Sequence, residues 1–382
     1  MAIMGKRFKS KIIYLLIPLI IFLAGYRIIS LWNRFLPDFD VFYYAAQETL
    51  YYHNPYQSQK LFTAFNYPVT TILLYLPLLL FPYTQAQNIF LIITMLFIPL
   101  IILLSLHILK KYRLTYFLFF YFLSLLFFPI NFTLGMGQSN IIGLFFIMMS
   151  YYFLSQSKNI ISGIFLGLGI IIKPILIFLL LFFVLRKKWC ILLFGIFIYA
   201  YVFLISGIIF GFDLHIYYFT HVIPDLFQLS GREVYYNQGL TGFISRLTDS
   251  LALRRIIPAL ISTIIVTSIT YQYWIKKYRH ELFLALLLTT LVIIDTLSWQ
   301  HHFVFLMFPF IAAFFEIGKI RRKNVFYFLL ACAYILVSRT IKNPQMFKIF
   351  PSSLILSHTF YGTCILFSIL LYCVFKRNYE IR

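Results

Sequence analysis

Few residues of this chain can do ionic chemistry, so the places they occupy are informative. The sequence has 382 residues, with 11 acids against 32 lysines and arginines. Asp38 and Asp40 open a tyrosine-rich segment, Pro37-Asp38-Phe39-Asp40-Val41-Phe42-Tyr43-Tyr44-Ala45-Ala46. The pair follows a long apolar stretch and so sits where a membrane helix emerges. A carboxylate there is poorly hydrated and gains basicity, which suits a general base. The same position also suits an N-cap for a short helix starting near Val41. Asp38-x-Asp40 could mimic a metal-binding pair, but there is no HExxH and no dense acid cluster, so no metal or cofactor is expected.

Other polar groups stand in apolar surroundings. They are Asn54-Pro55-Tyr56, Tyr67-Pro68, Gly137-Gln138-Ser139-Asn140, Lys173 within a long apolar run, Asn237-Gln238-Gly239-Leu240 followed by Arg246, and Ser298-Trp299-Gln300-His301-His302. Ionisable and polar residues at membrane depth are candidates for function. Each also has a plainer reading. Lys173 could snorkel to an interface. Gln138 and Asn140 could join helices through hydrogen bonds. His301 and His302 could be interfacial residues beside Trp299. Asp295 lies within an apolar run four residues before Trp299, and Asp225 and Glu233 look like solvated loop acids.

The elements that must hold these groups follow from composition. Hydrophobic residues make up 62% and charged residues 11%, and the net charge is +21. Soluble domains carry about 25% charged residues. The cations come in short clusters between apolar runs, which is the pattern of a polytopic membrane protein and not of a nucleic-acid-binding face. Disorder, a coiled coil and a disulfide scaffold are excluded on the same grounds, and Cys190, Cys332, Cys364 and Cys373 read as packing residues.

A span needs about 20 apolar residues. Candidates are 12–32, 84–109, 114–130, 139–155, 189–211, 256–275, 281–298, 302–318, 325–341 and 354–375. Residues 68–83 are short and proline-rich and are expected not to cross. Residues 160–185 are expected to break after Lys173-Pro174. The total expected is about twelve, in a single transmembrane domain covering 1–382. Lys6, Arg7, Lys9 and Lys11 precede an uncleaved first span. Arg186–Lys188, Lys276–Arg279, Lys319–Lys323 and Lys376-Arg377 belong on the cytoplasmic side. Segments 33–67 and 212–255 then become the two large external loops. Gly163-xxx-Gly167 and Gly207-xxx-Gly211 have the spacing of closely packed helices.

In order and type, the motifs resemble glycosyltransferase family 87, the membrane glycosyltransferases of the GT-C fold that use polyprenyl-phosphate mannose. The resemblance runs from about residue 36 to about 310 through Asp38 to Ala46, Asn54 to Tyr56, Tyr67-Pro68, Gly137 to Asn140, Gly163 to Lys173, Asn237 to Leu240 and Ser298 to His302. Where the family usually has glycine before Asn-Pro-Tyr, Tyr52 or His53 stands here, and the second proline after Tyr-Pro is Val69. The resemblance implies an all-α GT-C bundle with short amphipathic helices in the first external loop. It implies an inverting transfer of a mannose-like hexose from a polyprenyl-phosphate donor to a lipid or glycan acceptor, on the external face of the inner membrane. Asp38 would be the base, with His301 and His302 also catalytic and set against the leaving phosphate together with Lys173 and Arg246. Asp40, Tyr43, Tyr56, Gln138, Asn140, Asn237, Gln238 and Trp299 would complete the substrate site. Such a mechanism requires Asp38 and the two imidazoles to share one cavity. A flippase of lipid-linked intermediates and a non-catalytic envelope-assembly protein are the alternative readings.

Overall fold

In lipid, every backbone polar group must find a partner within its own segment, so apolar runs become helices. A computed structural model of the protein describes residues 2–228, 231–276, 279–347 and 351–377. Glu380 and the side chains of Lys6, Arg7, Lys9, Lys11, Lys276, Lys376 and Arg377 lie outside what it describes. Among the described residues the chain is all-α, with one isolated β-bridge. Six helices are long and apolar enough to cross a membrane, or seven with one bent pair, and five shorter apolar helices accompany them. The protein is thus an all-α, multi-pass membrane protein. Its chain folds into two compact units.

The first unit comprises Met1–Leu126, Ile130–Leu176 and Trp189–Gln228. Its centre is the helix Asn140–Ser155, packed between Tyr83–Ile108 and Asn159–Ile172. The latter helix crosses Trp189–Phe210 at close range: a Cβ on Gly163 would stand 2.7 Å from the Ile191 carbonyl, and one on Gly167 2.7 Å from that of Gly195. Of the Gly207-xxx-Gly211 pair only Gly207 serves close packing, against the short helix Phe212–Tyr217 that follows. Gly207 faces the Phe212 ring of its own chain, and Gly211 turns the chain there at φ +94°.

Three apolar runs of this unit are interrupted. The run 160–185 breaks where expected: a helix ends at Ile172, Lys173 is extended, and a 3-10 turn Pro174–Leu179 follows. The residue before a proline avoids helical ψ, so Lys173 is pushed out of the helix. Residues 68–83 form two 3-10 helices, Val69–Leu74 and Leu76–Leu80, instead of a spanning helix. The run 114–130 is not one straight span either; it bends by 59° at Phe127, between Leu114–Leu126 and Phe128–Met136, with Pro129 beginning the second piece.

The second unit comprises Phe127–Pro129, Ile177–Lys188 and Leu229–Arg382. Helix His280–Ile294 is its axis, buried along nearly its whole length against Met307–Ile317 and His358–Arg377. At one end of this unit, buried Glu316 pairs with Arg279 at 3.0 Å and Lys319 at 2.6 Å, so these cations are tied into the fold. The run 281–298 does not continue as a span. Its helix stops at Ile294, and Asp295 caps its C-terminus. Asp295 therefore sits in a turn and not inside a membrane helix. Past the turn, Gln300–Leu306 is a 3-10 segment that leads into Met307–Ile317.

Candidate active site

Two polar clusters arise, one in each unit. In the first unit, the helix Pro37–Leu50 starts four residues earlier than Val41, with Leu36 as its N-cap residue and Pro37 in its first turn. Asp38 is therefore not the N-cap, and its carboxylate caps nothing. Its Oδ2 is buried and accepts no hydrogen bond among the described residues. Gln138 faces the carboxylate as a hydrogen-bond donor, and the Lys173 ammonium acts on it through its charge. Burial dominates over both and raises the Asp38 pKa above the usual carboxylate range.

The local chain explains how Gln138 reaches Asp38. Gly137 turns at φ +73°, and a Cβ there would lie 2.5 Å from the Cβ of Phe39. Only glycine lets the 137–140 turn press against the start of the Pro37 helix. Asn140, fully buried, begins the next helix. Lys173 is 2% exposed; its Nζ donates to the Tyr67 hydroxyl at 2.5 Å and to Gln138 Oε1 at 3.1 Å. The ammonium also lies 4.9 Å from the Tyr67 ring centroid. Lys173 thus belongs with Asp38 and does not snorkel. Tyr75 stacks on Phe42 at 4.6 Å, and burial drives its hydroxyl pKa up.

The rest of the first external segment braces this cluster. Asp40 is buried, accepts the Phe62 amide at 3.4 Å, and has its pKa raised by burial. Tyr43 donates to the Phe81 carbonyl at 3.0 Å and Tyr56 to that of Tyr67 at 2.9 Å, so both hydroxyls are engaged by the protein. Asn54 accepts the Tyr56 amide at 3.0 Å, the local turn that explains the Asn-Pro-Tyr spacing. Tyr52 has φ +62°, a conformation glycine adopts freely, which accounts for the family's glycine in this stretch. Glu48, to which the sequence reading gives no role, is buried and clamps the loop through Lys60 at 2.7 Å and His53 at 3.2 Å. The Lys60 hydrogen bond holds its pKa low. Its signal in the sequence is weak: one acid at the end of a helix, with its partners in the following loop.

In the second unit, the Asn237 and Trp299 segments pair as a short antiparallel bridge. The Gln238 amide donates to the Ser298 carbonyl at 2.8 Å and the Gln300 amide to that of Tyr236 at 3.0 Å. Trp299 is stacked between Tyr236 and His301, with ring centroids 5.9 and 6.1 Å away. His301 and His302 are both buried, their rings edge to face at 4.7 Å. His302 Nδ1 stands 3.2 Å from Asp295 Oδ2. Gln300 is 1% exposed, and neither end of its amide is hydrogen-bonded among the described residues; the buried Ser298 hydroxyl is in the same state.

Three residues that the resemblance sets at the substrate are hydrogen-bonded within the protein. Asn237 donates to the Arg232 and Thr296 carbonyls, both at 3.1 Å. Gln238 donates to the Tyr235 and Leu356 carbonyls and accepts the Thr359 amide. Arg246 donates to Ser357 Oγ at 2.9 Å and to the carbonyls of Asn237 at 3.0 Å, Val234 at 3.2 Å and Glu233 at 3.4 Å. Burial lowers the pKa of this guanidinium to about 10. These side chains hold the 233–240 loop, because each satisfies backbone groups that water cannot reach. Sequence motifs do not separate such residues from ligand-binding ones, since both are polar groups in apolar surroundings. Arg232 and Asp295 went unassigned for the same reason.

Comparison with known proteins agrees with this picture. No curated protein matches the chain. The model of Glycosyltransferase family 87 matches residues 65–309. That stretch holds the 137–140 turn, Lys173, the 237–240 loop and the Ser298–His302 segment, whereas Asp38 lies upstream of it. The match spans more than half of the 382 residues, so the chain belongs to glycosyltransferase family 87 and is a membrane glycosyltransferase.

Proposed function

We propose that the protein transfers a mannose-like hexose, with inversion, from a polyprenyl-phosphate donor to a lipid or glycan acceptor on the external face of the inner membrane, within a GT-C fold. The observation that carries the reading is half-buried Asp38, whose buried Oδ2 accepts no hydrogen bond among the described residues, next to Gln138 and Lys173. A buried acceptor of this kind costs free energy unless a ligand meets it, and the proton of an acceptor hydroxyl is a fitting partner. Asp38 takes that proton as the acceptor oxygen bonds to the anomeric carbon. The bond from that carbon to the phosphate oxygen breaks on the opposite face, and polyprenyl phosphate leaves with its electron pair. The raised basicity of Asp38 favours the proton transfer. The Lys173 charge acts against the desolvation and favours the ionised base. The family resemblance assigns to His301 and His302 the charge that develops on the departing phosphate.

Asp40 is the weaker candidate for the base, since its Oδ2 accepts the Phe62 amide. The test is purified protein with a synthetic polyprenyl-phosphate hexose and a panel of lipid and glycan acceptors. Transfer is expected with wild type and Asp40→Asn, and its loss with Asp38→Asn. Full turnover by Asp38→Asn would remove Asp38 from the mechanism, and transfer only from a soluble nucleotide sugar would overturn the donor class.

A further inference from the structure

Asp295 has no place in the reading above, yet the fold gives it a particular one. It follows Ile294, the last residue of the buried helix, in the turn that leads to Trp299. Its Oδ2 is 3.2 Å from Nδ1 of His302. On its other side the charge of Asp295 acts favourably on the Arg232 guanidinium, which is 5% exposed. The turn is rigidly held. Asp295 Oδ1 accepts the Leu297 amide at 3.3 Å, Asn237 anchors the Thr296 carbonyl, and Gly239 leaves room for the Asp295 carbonyl, which a Cβ there would approach to 2.8 Å. On the imidazole side, the His302 amide donates to the Trp299 carbonyl at 2.7 Å, and the His301 ring closes on it edge to face.

From this juxtaposition we infer that Asp295 is a positioning residue for His302. A carboxylate is acceptor-only when ionised, so the ring nitrogen facing it must carry hydrogen. Asp295 therefore fixes the His302 proton on Nδ1 and orients the ring. The Arg232 guanidinium and the Asp295 carboxylate attract each other, which supports the acceptor state of the carboxylate. Nε2 is then the nitrogen that meets a ligand. When a phosphate oxygen approaches, Nε2 takes a proton from solvent, and the resulting imidazolium donates to that oxygen while Asp295 balances its charge. The inference rests on the glycosyltransferase reading for its ligand and not for the state of the ring.

Two measurements separate these. Nitrogen-15 spectra of histidine-labelled full-length protein in detergent, with the His302 signals assigned by their loss in His302→Gln, report the tautomer without any substrate. Wild type is expected to show hydrogen on Nδ1. Asp295→Asn, whose amide can donate, is expected to move hydrogen toward Nε2, and Asp295→Glu to restore the wild-type pattern. Hydrogen on Nε2 in wild type, or the same pattern in Asp295→Asn, would overturn the inference whatever the enzyme transfers. In the transfer assay, Asp295→Asn is expected to lower kcat roughly 10- to 100-fold with KM little changed. Introducing Asp295→Asn into His302→Gln should cost little more. An Asp295→Asn enzyme that melts like wild type and turns over at the wild-type rate would also overturn it. If no transfer is seen with any variant, the spectra still decide the role of Asp295.

Discussion

Asp38 and Arg246 are both ionisable side chains drawn into the fold, and their surroundings differ in one respect. Arg246 meets a hydroxyl and three carbonyls, all contributed by its own unit. Asp38 keeps one buried oxygen with no hydrogen bond, and its pKa rises through desolvation. Arg246 leaves only its buried Nη2 without a hydrogen bond among the described residues, and the donors it does engage hold a loop together. A carboxylate left incomplete is unstable as a charge and reactive toward a proton. The same contrast runs within the second unit, where Gln238 is saturated and Gln300 has neither amide end paired. Burial by itself does not mark function in this chain.

Asp38→Asn tests the incomplete group directly, and turnover should fall about 10²- to 10⁴-fold. Stability should move the other way. A carboxyl whose folded pKa is raised favours the fold fully below its unfolded pKa, and that contribution is lost as pH rises through the folded pKa. Above the folded pKa the ionised Asp38 therefore favours the fold less than its acid form does, and the neutral amide relieves this. Thermal melting in detergent at pH 7 should give Asp38→Asn a midpoint at or above that of wild type. A clear drop would mean that Asp38 is scaffold and would erase the contrast with Arg246.

Arg246→Ala is the complementary substitution. It strands carbonyls that water cannot reach and should cost about 2–4 kcal/mol of stability, seen as a lower melting midpoint and less folded protein on extraction. The surviving folded fraction should bind donor with an unchanged KM. A stable variant with a raised KM would instead place Arg246 on the substrate.

Lys173→Met sharpens the picture of the base. The Lys173 charge lowers the Asp38 pKa against the burial that raises it. Without the ammonium that pKa climbs further, so the acid limb of the kcat/KM profile should move to higher pH. A profile that stays in place, with only a uniform loss of rate, would assign Lys173 to the leaving phosphate alone.

The smallest effect is expected at Tyr52, where φ is +62°. Tyr52→Gly should stabilise the loop by about 1 kcal/mol and leave turnover unchanged, as judged by melting and by the transfer assay. Loss of activity would mean that the ring itself has a task.

The sequence alone determined the class of this protein. Long apolar runs with sparse, clustered cations have one physical solution in a bilayer, which is helices. The break at Lys173-Pro174 was legible because proline acts on its immediate neighbour, and the close crossing at Gly163 and Gly167 because a missing side chain acts through its position on a helix face. The order of motifs carried the family, and the match over residues 65–309 agrees with it. Tertiary structure decided what each polar residue does. The carbonyl partners of Asn237, Gln238 and Arg246 came into view only with the fold. Lys173 joined Asp38 because Gly137 and Gln138, a hundred residues beyond Asp38, close the distance. Asp295 moved from a presumed span to a turn against His302 because its helix stops one residue earlier. Hydrogen bonds between distant segments leave no periodic trace along the chain, and they separate the scaffold from the reactive groups.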